Sequence, residues 1–155
     1  MLLGDFISPD SVVPSLKAKT KKQLLQELSA RGARITGLPE RDIFDVLWQR
    51  ERLGSTGLGQ GIAIPHGKLQ GLKRIVGIFA RLAESVDFDA VDGAPVDVVF
   101  LLLAPEGAGA DHLKALARIS RLLRERSAVE KLRASKDAAA LYAVLTADEA
   151  SSHAA

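Results

Sequence analysis

The stretch Val96-Asp97-Val98-Val99-Phe100-Leu101-Leu102-Leu103 decides the fold of this 155-residue chain. Its β-branched and aromatic residues form a nearly continuous apolar run, which is typical of a strand buried on both faces. The turn signal Asp92-Gly93-Ala94-Pro95 marks where the run begins. Two shorter β-type segments precede it, at Ile62 to Ile64, ended by Pro65, and at Ile75 to Arg81. We therefore predict a small sheet with the 96–103 run as its central strand.

Helical patterns lie on both sides of these strands. Thr20 to Gln23 match the capping box S/T-x-x-E/Q, and apolar residues follow at helical spacing until Gly32, which predicts a helix over about 20–31. A second helix is expected to start with Pro39 in its first turn and to run to about Leu53. A third is expected to be capped by Asp111, and two shorter helices complete the pattern.

Strands enclosed by helices predict a single α/β domain, with a sheet covered on both faces. We place this domain at residues 1–146 and expect the polar, small-residue segment 147–155 to be a disordered tail in which His153 has no role. Four lysines, which we expect to form a solvated approach to the first helix, are Lys17, Lys19, Lys21 and Lys22.

Composition excludes several function classes. The chain has no cysteine, which removes disulfides, thiolate nucleophiles and thiolate metal ligands. A net charge of +2 gives nucleic-acid binding no global electrostatic support. The longest apolar run, Val98 to Ala104, is too short to span a bilayer, and no signal peptide is recognisable. We therefore expect a cytoplasmic protein without membrane insertion.

The segment from Glu51 to Lys68 packs five glycines, two hydroxyls and a histidine around one short strand. Glycine allows backbone N–H groups to approach an anion closely. A Walker A loop is excluded, because five residues separate Gly61 from Gly67 and Leu69 stands where Ser or Thr is needed. The dinucleotide pattern G-x-G-x-x-G, the G-x-S-x-G pattern of serine hydrolases and the H-E-x-x-H metal motif are also absent.

Three polar side chains stand out as site candidates. Pro65 fixes the backbone before His66 and places its imidazole at a sheet edge, although a single histidine after a strand is often only structural. Arg50 continues the inward stripe of its helix and calls for an anionic partner, unless its stem passes along the core edge or it pairs with a neighbouring carboxylate. His112 lies in the first turn of its helix, where the positive dipole disfavours the imidazolium; it is either a hydrogen-bond donor to a ligand or an ordinary helix-start residue.

With these residues the chain resembles the enzyme IIA domain of the fructose/mannitol class in the bacterial phosphoenolpyruvate-dependent phosphotransferase system. The pattern that marks the phosphorylated histidine in that family has an acidic residue, six variable positions, and then apolar-Gly-x-x-apolar-Ala-apolar-Pro-His-small. The matching residues are Glu51, Leu58, Gly59, Ile62, Ala63, Ile64, Pro65, His66 and Gly67. The similarity continues through Asp92 to Pro105 and Asp111 to Leu116, and it covers essentially residues 1–146.

The resemblance implies a mixed sheet flanked by helices, with His66 as phosphoryl acceptor and His112 as the second active-site histidine. Arg50, from its place on the inward stripe of its helix, is the candidate phosphate-stabilising group. The resemblance also implies a histidine phosphocarrier protein as phosphoryl donor, with no cofactor and no metal. Further candidate phosphate-binding residues are Ser55, Thr56, Gly57, Gly59 and Gly61. An apolar rim for the partner is expected at Leu58, Ile62 and Leu69.

Within the family, the opening Met1 to Pro9 and the segment Gly54-Ser55-Thr56-Gly57 are most similar to the nitrogen-regulatory enzyme IIA. This branch implies phosphorylation-dependent binding to regulated targets in nitrogen or potassium control. Three alternatives stay open: a sugar-specific enzyme IIA that passes phosphate to an enzyme IIB, a binding regulator that takes no phosphate, and a nucleotide-binding sensor. The arginines at 118, 121, 124 and 126 are either a solvated helix face or a docking patch.

Overall fold

The computed structural model describes residues 1–147; residues 148–155, including His153, lie outside the described part, so the predicted tail is not tested. The five α-helices are α1 (Lys21–Thr36), α2 (Glu40–Leu53), α3 (Gly109–Arg124), α4 (Arg126–Ala134) and α5 (Ala138–Leu145). The six strands are β1 (Val12–Leu16), β2 (Gly57–Gly59), β3 (Ile62–Ala63), β4 (His66–Leu69), β5 (Val76–Val86) and β6 (Val96–Pro105). Two short 3-10 turns, Leu3–Asp5 and Pro9–Ser11, precede β1.

The sheet is mixed and has the order β1-β5-β6-β3-β2, with β4 also paired to β6. β6 is antiparallel to β5 on one side and parallel to β3 and β4 on the other. Because β3 and β4 lie end to end along β6, Ile62 faces Val98 and His66 faces Leu102. The predicted central strand is confirmed, and it is the strand that positions the histidine.

Helices cover both faces of the sheet, as predicted. On β6, Val98, Phe100 and Leu102 pack into one core beneath α3, α4 and α5, whereas Val99 and Leu101 pack into a second core beneath α1 and α2. Alternate side chains of one strand therefore enter two cores, which explains its continuous apolar run.

Two helix boundaries differ from the sequence prediction. Gly32 does not end α1 but lies inside it, where a Cβ would be 3.3 Å from side-chain carbons of Ile43 and Leu103. The helix ends instead at Gly37, whose φ of +76° provides a left-handed C-cap. Asp111 does not cap α3, because that helix begins at Gly109 and has no side-chain cap.

The strand before His66 is shorter than predicted, since β3 ends at Ala63, and a separate strand follows it. Pro65 interrupts the pairing only briefly, and β4 begins at His66 itself. Within residues 1–147, none of the helices has the length and apolar character needed to cross a membrane.

Candidate functional site

The backbone holds the His66 imidazole by one of its two nitrogens. His66 Nδ1 lies 2.9 Å from the Ile64 carbonyl oxygen, two residues earlier in the chain. A carbonyl oxygen can only accept, so Nδ1 carries the proton and donates it. In the neutral ring the lone pair is then on Nε2, which is the nucleophilic nitrogen. Pro65, buried between Ile64 and His66, restricts the backbone that sets this geometry.

Arg50 lies in the last turn of α2 and is half-buried. Its Nη1 donates to the Gly54 carbonyl oxygen at 2.9 Å. This contact fixes the guanidinium beside the chain that leaves the helix, and it uses one of the five donors of the group. The alternative pairing with Glu51 is not found, because Glu51 binds Lys21 instead.

His112, in the first turn of α3, is only 6% exposed. Its ring lies 5.7 Å from the His66 ring, centroid to centroid, with an interplanar angle of 68°. Its Nδ1 is buried without a hydrogen-bond partner. His112 therefore packs edge-on against His66, and its buried nitrogen disfavours the charged form of the ring.

Arg50, His66 and His112 line one open cleft of about 540 Å³ between α2, β4 and the start of α3. The cleft is also lined by Val46, Gln49, Leu53, Gly67 and Lys68. The structure thus brings together the three side chains that the sequence analysis singled out. Two further cleft residues, Gln49 and Lys68, were not predicted from the sequence. Gln49 directly precedes Arg50 and Lys68 lies two residues after His66, so closeness to the predicted residues is the signal that could have found them.

Both imidazoles have a pKa below the ordinary histidine value. For His66, burial lowers the pKa most, the Ile64 hydrogen bond raises it, and the charges of Arg50 and Glu51 act in opposite directions. For His112, burial again has the largest effect, and His66 and Lys68 lower its pKa further. Both rings are therefore neutral at pH 7, as the free-base form of a nucleophile requires.

The five loop residues predicted to bind phosphate do not line this cleft. Ser55 Oγ donates to the Phe88 carbonyl oxygen at 2.8 Å, and the backbone N–H of Thr56 donates to Glu51 at 3.1 Å. Gly57 packs against Ala90, where a Cβ would be 2.8 Å away.

The other two glycines meet side chains of later segments. A Cβ would be 3.1 Å from Asp92 at Gly59, and 2.8 Å from Asp97 at Gly61, where φ is +82°. Close packing thus accounts for the glycines. Phosphate binding by these five residues stays a prediction that the contacts do not support.

The expected apolar rim is also different. Ile62 and Leu69 are buried, and Leu58 lies with Ile62 in a second cleft against Ser120 and Arg124. Two exposed apolar side chains belong to this region: Leu53, which lines the cleft and is 86% exposed, and Leu113, which follows His112 in α3 and is 68% exposed. Periodicity does not predict a role for Leu53 or Leu113, because each residue lies on the outer side of its helix.

Metal ligation finds no support in the described part of the chain. Residues 1–147 contain no group of three His, Cys, Asp or Glu side chains placed to hold a metal ion. The site chemistry is that of two imidazoles and a guanidinium.

Comparisons with known proteins identify the family of the chain. The family model "Phosphoenolpyruvate-dependent sugar phosphotransferase system, EIIA 2" matches residues 5–148. A nitrogen regulatory protein of Bradyrhizobium diazoefficiens is 60% identical over 145 residues, which cover 94% of this chain and 95% of that protein.

Solved structures share the fold. The crystal structure of the nitrogen regulatory protein IIA-Ntr from Neisseria meningitidis is 40% identical, with a TM-score of 0.88, and the match covers 93% of this chain and 99% of that one. The mannitol IIA of Escherichia coli, at 20% identity and a TM-score of 0.75 over 90% of this chain and 98% of that one, shares the fold alone. On the family match and these identities, the chain belongs to the EIIA 2 family of the phosphoenolpyruvate-dependent sugar phosphotransferase system.

Proposed function

We propose that the protein is a phosphoryl-accepting regulator in which Nε2 of His66 takes a phosphoryl group from a phosphohistidine on a small carrier protein. The observation that carries this proposal is the Nδ1 hydrogen bond to Ile64 at 2.9 Å, in a cleft that also holds Arg50 and His112. Membership of the EIIA 2 family supports it.

In the proposed step, the Nε2 lone pair attacks the phosphorus and forms a new N–P bond while the donor N–P bond breaks. The electron pair of the broken bond stays on the donor imidazole, and the proton of His66 stays on Nδ1, which continues to donate to the Ile64 carbonyl oxygen. Because His66 is neutral at pH 7, it needs no general base. Donor and acceptor are both histidines, so the transfer is nearly balanced and reversible.

Arg50 and His112 stabilise charge on the transferring group in this proposal. The transition state is loose, with charge on three equatorial oxygens, so preorganised donors beside Nε2 lower the barrier. Arg50 supplies a fixed cation at the end of α2. His112 supplies a neutral ring whose second nitrogen, Nε2, is available for a hydrogen bond, since its Nδ1 is buried.

The exposed side chains around the cleft suit a docking protein. Leu53 lines the cleft and Leu113 directly follows the cleft residue His112, and both are large exposed apolar side chains. We propose that the carrier protein covers them when it presents its phosphohistidine. Loss of water from this surface strengthens the charge interactions inside the cleft.

The regulatory role rests on the similarity to nitrogen regulatory proteins. A phosphoryl group adds about two negative charges at neutral pH to a cleft edged by apolar groups, and so changes which partner surface can bind. We propose that regulated target proteins distinguish the two states. The alternative, a sugar-specific enzyme IIA that passes phosphate to an enzyme IIB, uses the same His66 chemistry and differs only in the acceptor.

Intact mass spectrometry tests the proposal. The chain is incubated with phosphoenolpyruvate, the first enzyme of the relay and its phosphocarrier, and we expect an acid-labile gain of one phosphoryl group that His66→Ala abolishes. Arg50→Ala and His112→Ala are each expected to slow the transfer about a hundredfold or more, with the fold intact. Arg52→Ala, on the same last turn of α2 but exposed, is the matched control for Arg50→Ala. An unmodified mass with active upstream proteins would contradict the proposal and favour a binding regulator.

The acceptor is tested separately. A pull-down that compares phosphorylated with unphosphorylated chain is expected to retain different proteins in the two states. Transfer of the phosphoryl group to an enzyme IIB at a rate similar to its uptake would instead support the sugar-specific role.

A further inference from the structure

A buried charge pair lies directly behind the site. Lys21 Nζ is 3.0 Å from Glu51 Oε1, and the two side chains are 13% and 2% exposed. Lys21 Nζ also lies 4.6 Å from the centre of the Phe88 ring and 3.9 Å from the exposed carboxylate of Asp89. The prediction that Lys21 belongs to a solvated approach is therefore wrong, because its charge is directed into the molecule.

Glu51 accepts hydrogen bonds from three donors. Besides Lys21, these are the Thr56 N–H, at 3.1 Å from Oε1, and the Thr56 hydroxyl, which contacts Oε2. A buried carboxylate keeps its charge only when such partners replace water. The pair thus ties three segments together: the start of α1, the end of α2 and the chain that enters β2.

This junction encloses the turn that carries Arg50. Arg50 binds the Gly54 carbonyl oxygen, and the next residue, Glu51, binds Thr56. The chain from 50 to 56 is therefore closed by two adjacent side chains. Glu51 and Arg50 therefore hold the same short turn.

We propose that Lys21 is a positioning residue for phosphoryl acceptance, because its ion pair with Glu51 offsets the charge of that carboxylate and holds the turn from residue 50 to residue 56, which keeps the Arg50 guanidinium at the cleft. The role in phosphoryl acceptance rests on the proposed function. The electrostatic coupling of Lys21 and Glu51 to His66 does not depend on phosphate transfer and can be measured without it.

The charged and titratable groups that face His66 are few. They are Arg50 and Glu51 from α2, Lys68 from its own strand and His112 from α3. Glu51 is the one anion in this set and attracts a proton to His66, whereas the cations repel it. Lys21 is paired with Glu51 at 3.0 Å, and the proposal is that its positive charge offsets this attraction.

An NMR titration of the His66 imidazole tests the inference with opposite charge changes. Lys21→Met leaves Glu51 uncompensated and is expected to raise the pKa of His66 and to cause a several-fold loss of transfer rate at pH 6. Glu51→Gln removes the anion, keeps an acceptor for the Thr56 N–H and is expected to lower the pKa. Lys21→Arg restores the cation and is expected to return both readouts to their original values.

Lys22→Met is the matched control, because it removes the same charge from the next, exposed residue of α1 and is expected to leave the titration unchanged. Loss of packing alone would move the two test variants in the same direction. A shift of the His66 pKa in the same direction in both variants, or no shift in either, would overturn the inference. If Lys21→Met fails to fold, the titrations of Glu51→Gln and Lys21→Arg decide alone. If the titrations move as expected but no variant accepts phosphate, the coupling stands and the proposed function fails.

Discussion

At the scale of the residue, two contacts set what the His66 imidazole can do. The Ile64 carbonyl oxygen occupies Nδ1, and the His112 ring lies against the imidazole at 5.7 Å. The first contact leaves the lone pair on Nε2, and the second packs another imidazole against the ring. Because burial lowers the pKa of both histidines, His66, the proposed nucleophile, is mainly in its free-base form at neutral pH.

The lowered pKa of His66 predicts how the rate of phosphoryl acceptance changes as the pH falls. The rate of phosphoryl acceptance is expected to decline in acid with a midpoint below the ordinary histidine value of about 6.5, because burial lowers the pKa of His66. The initial rate measured from pH 8 to pH 5, beside an NMR titration of His66, checks the prediction. A midpoint above 6.5 in both measurements would contradict it; the carrier must be shown to stay phosphorylated over the same range.

Three site residues could be predicted from the sequence because each departs from a local pattern. Arg50 is a charge on an apolar stripe, His66 is a histidine that follows a proline, and His112 is a histidine at a helix start. The pairing of Lys21 with Glu51 could not be predicted, because the two residues lie thirty positions apart and meet only when α1 packs on α2. Ser55 and Thr56 are predicted to bind phosphate because hydroxyls beside glycines suit an anion. In the fold their donors are taken by Phe88 and Glu51.

At the scale of the element, α2 and β4 lie close enough to exclude a side chain between them. A Cβ at Gly67, next to the histidine, would overlap Val46 Cγ1. This contact sets the distance between the strand that carries His66 and the helix that carries Arg50. The position requires glycine for space, not for its backbone angles.

We therefore expect Gly67→Ala to push β4 away from α2. Overpacking of this kind costs about 1–3 kcal/mol of unfolding free energy, and the transfer should slow because Arg50 and His66 separate. Urea unfolding and the rate of phosphorylation measure the two effects.

The matched test of Gly67→Ala is the double variant with Val46→Ala, which removes the methyl group that the new Cβ would strike. It is expected to recover much of the rate and the stability. Equal loss in the single and double variants would show that the contact does not set the spacing.

Predictions of elements succeeded where the apolar pattern is long and failed where packing decides. The central strand and the second helix follow from periodicity alone. Glycine usually stops a helix, which predicts a helix end at Gly32. In the structure this glycine instead allows α1 to pack closely against Ile43 and Leu103. Strands β2 and β4 have three and four residues, too few to show any period.

At the scale of the whole molecule, the site is built where the two cores meet. His66 lies on the sheet between them, with α2 on one face and α3 on the other supplying Arg50 and His112. The fold must keep both helices against β4 for the cleft to exist. Protonation of the buried histidines therefore opposes folding as well as reaction.

This linkage predicts that the fold loses stability in mild acid. Since the folded-state pKa of both histidines is lowered, the unfolded chain binds more protons as pH falls below about 6.5, and the unfolding free energy decreases with it. Urea unfolding at pH 7.5 and pH 5.5, followed by fluorescence of the single tryptophan, Trp48, measures the decrease. The double variant His66→Gln, His112→Gln is expected to lose less stability over this range; an equal loss would assign the effect to other groups.

The central claim is that the phosphoryl group is bound to Nε2 of His66. Chain labelled with ¹⁵N in its histidines is phosphorylated through the carrier protein, and the ring nitrogens are identified by NMR through their couplings to ring protons and to phosphorus. The account predicts one phosphorylated residue, His66, with phosphorus on Nε2 and a proton on Nδ1. Phosphorus on Nδ1 of His66, or on His112, would contradict it.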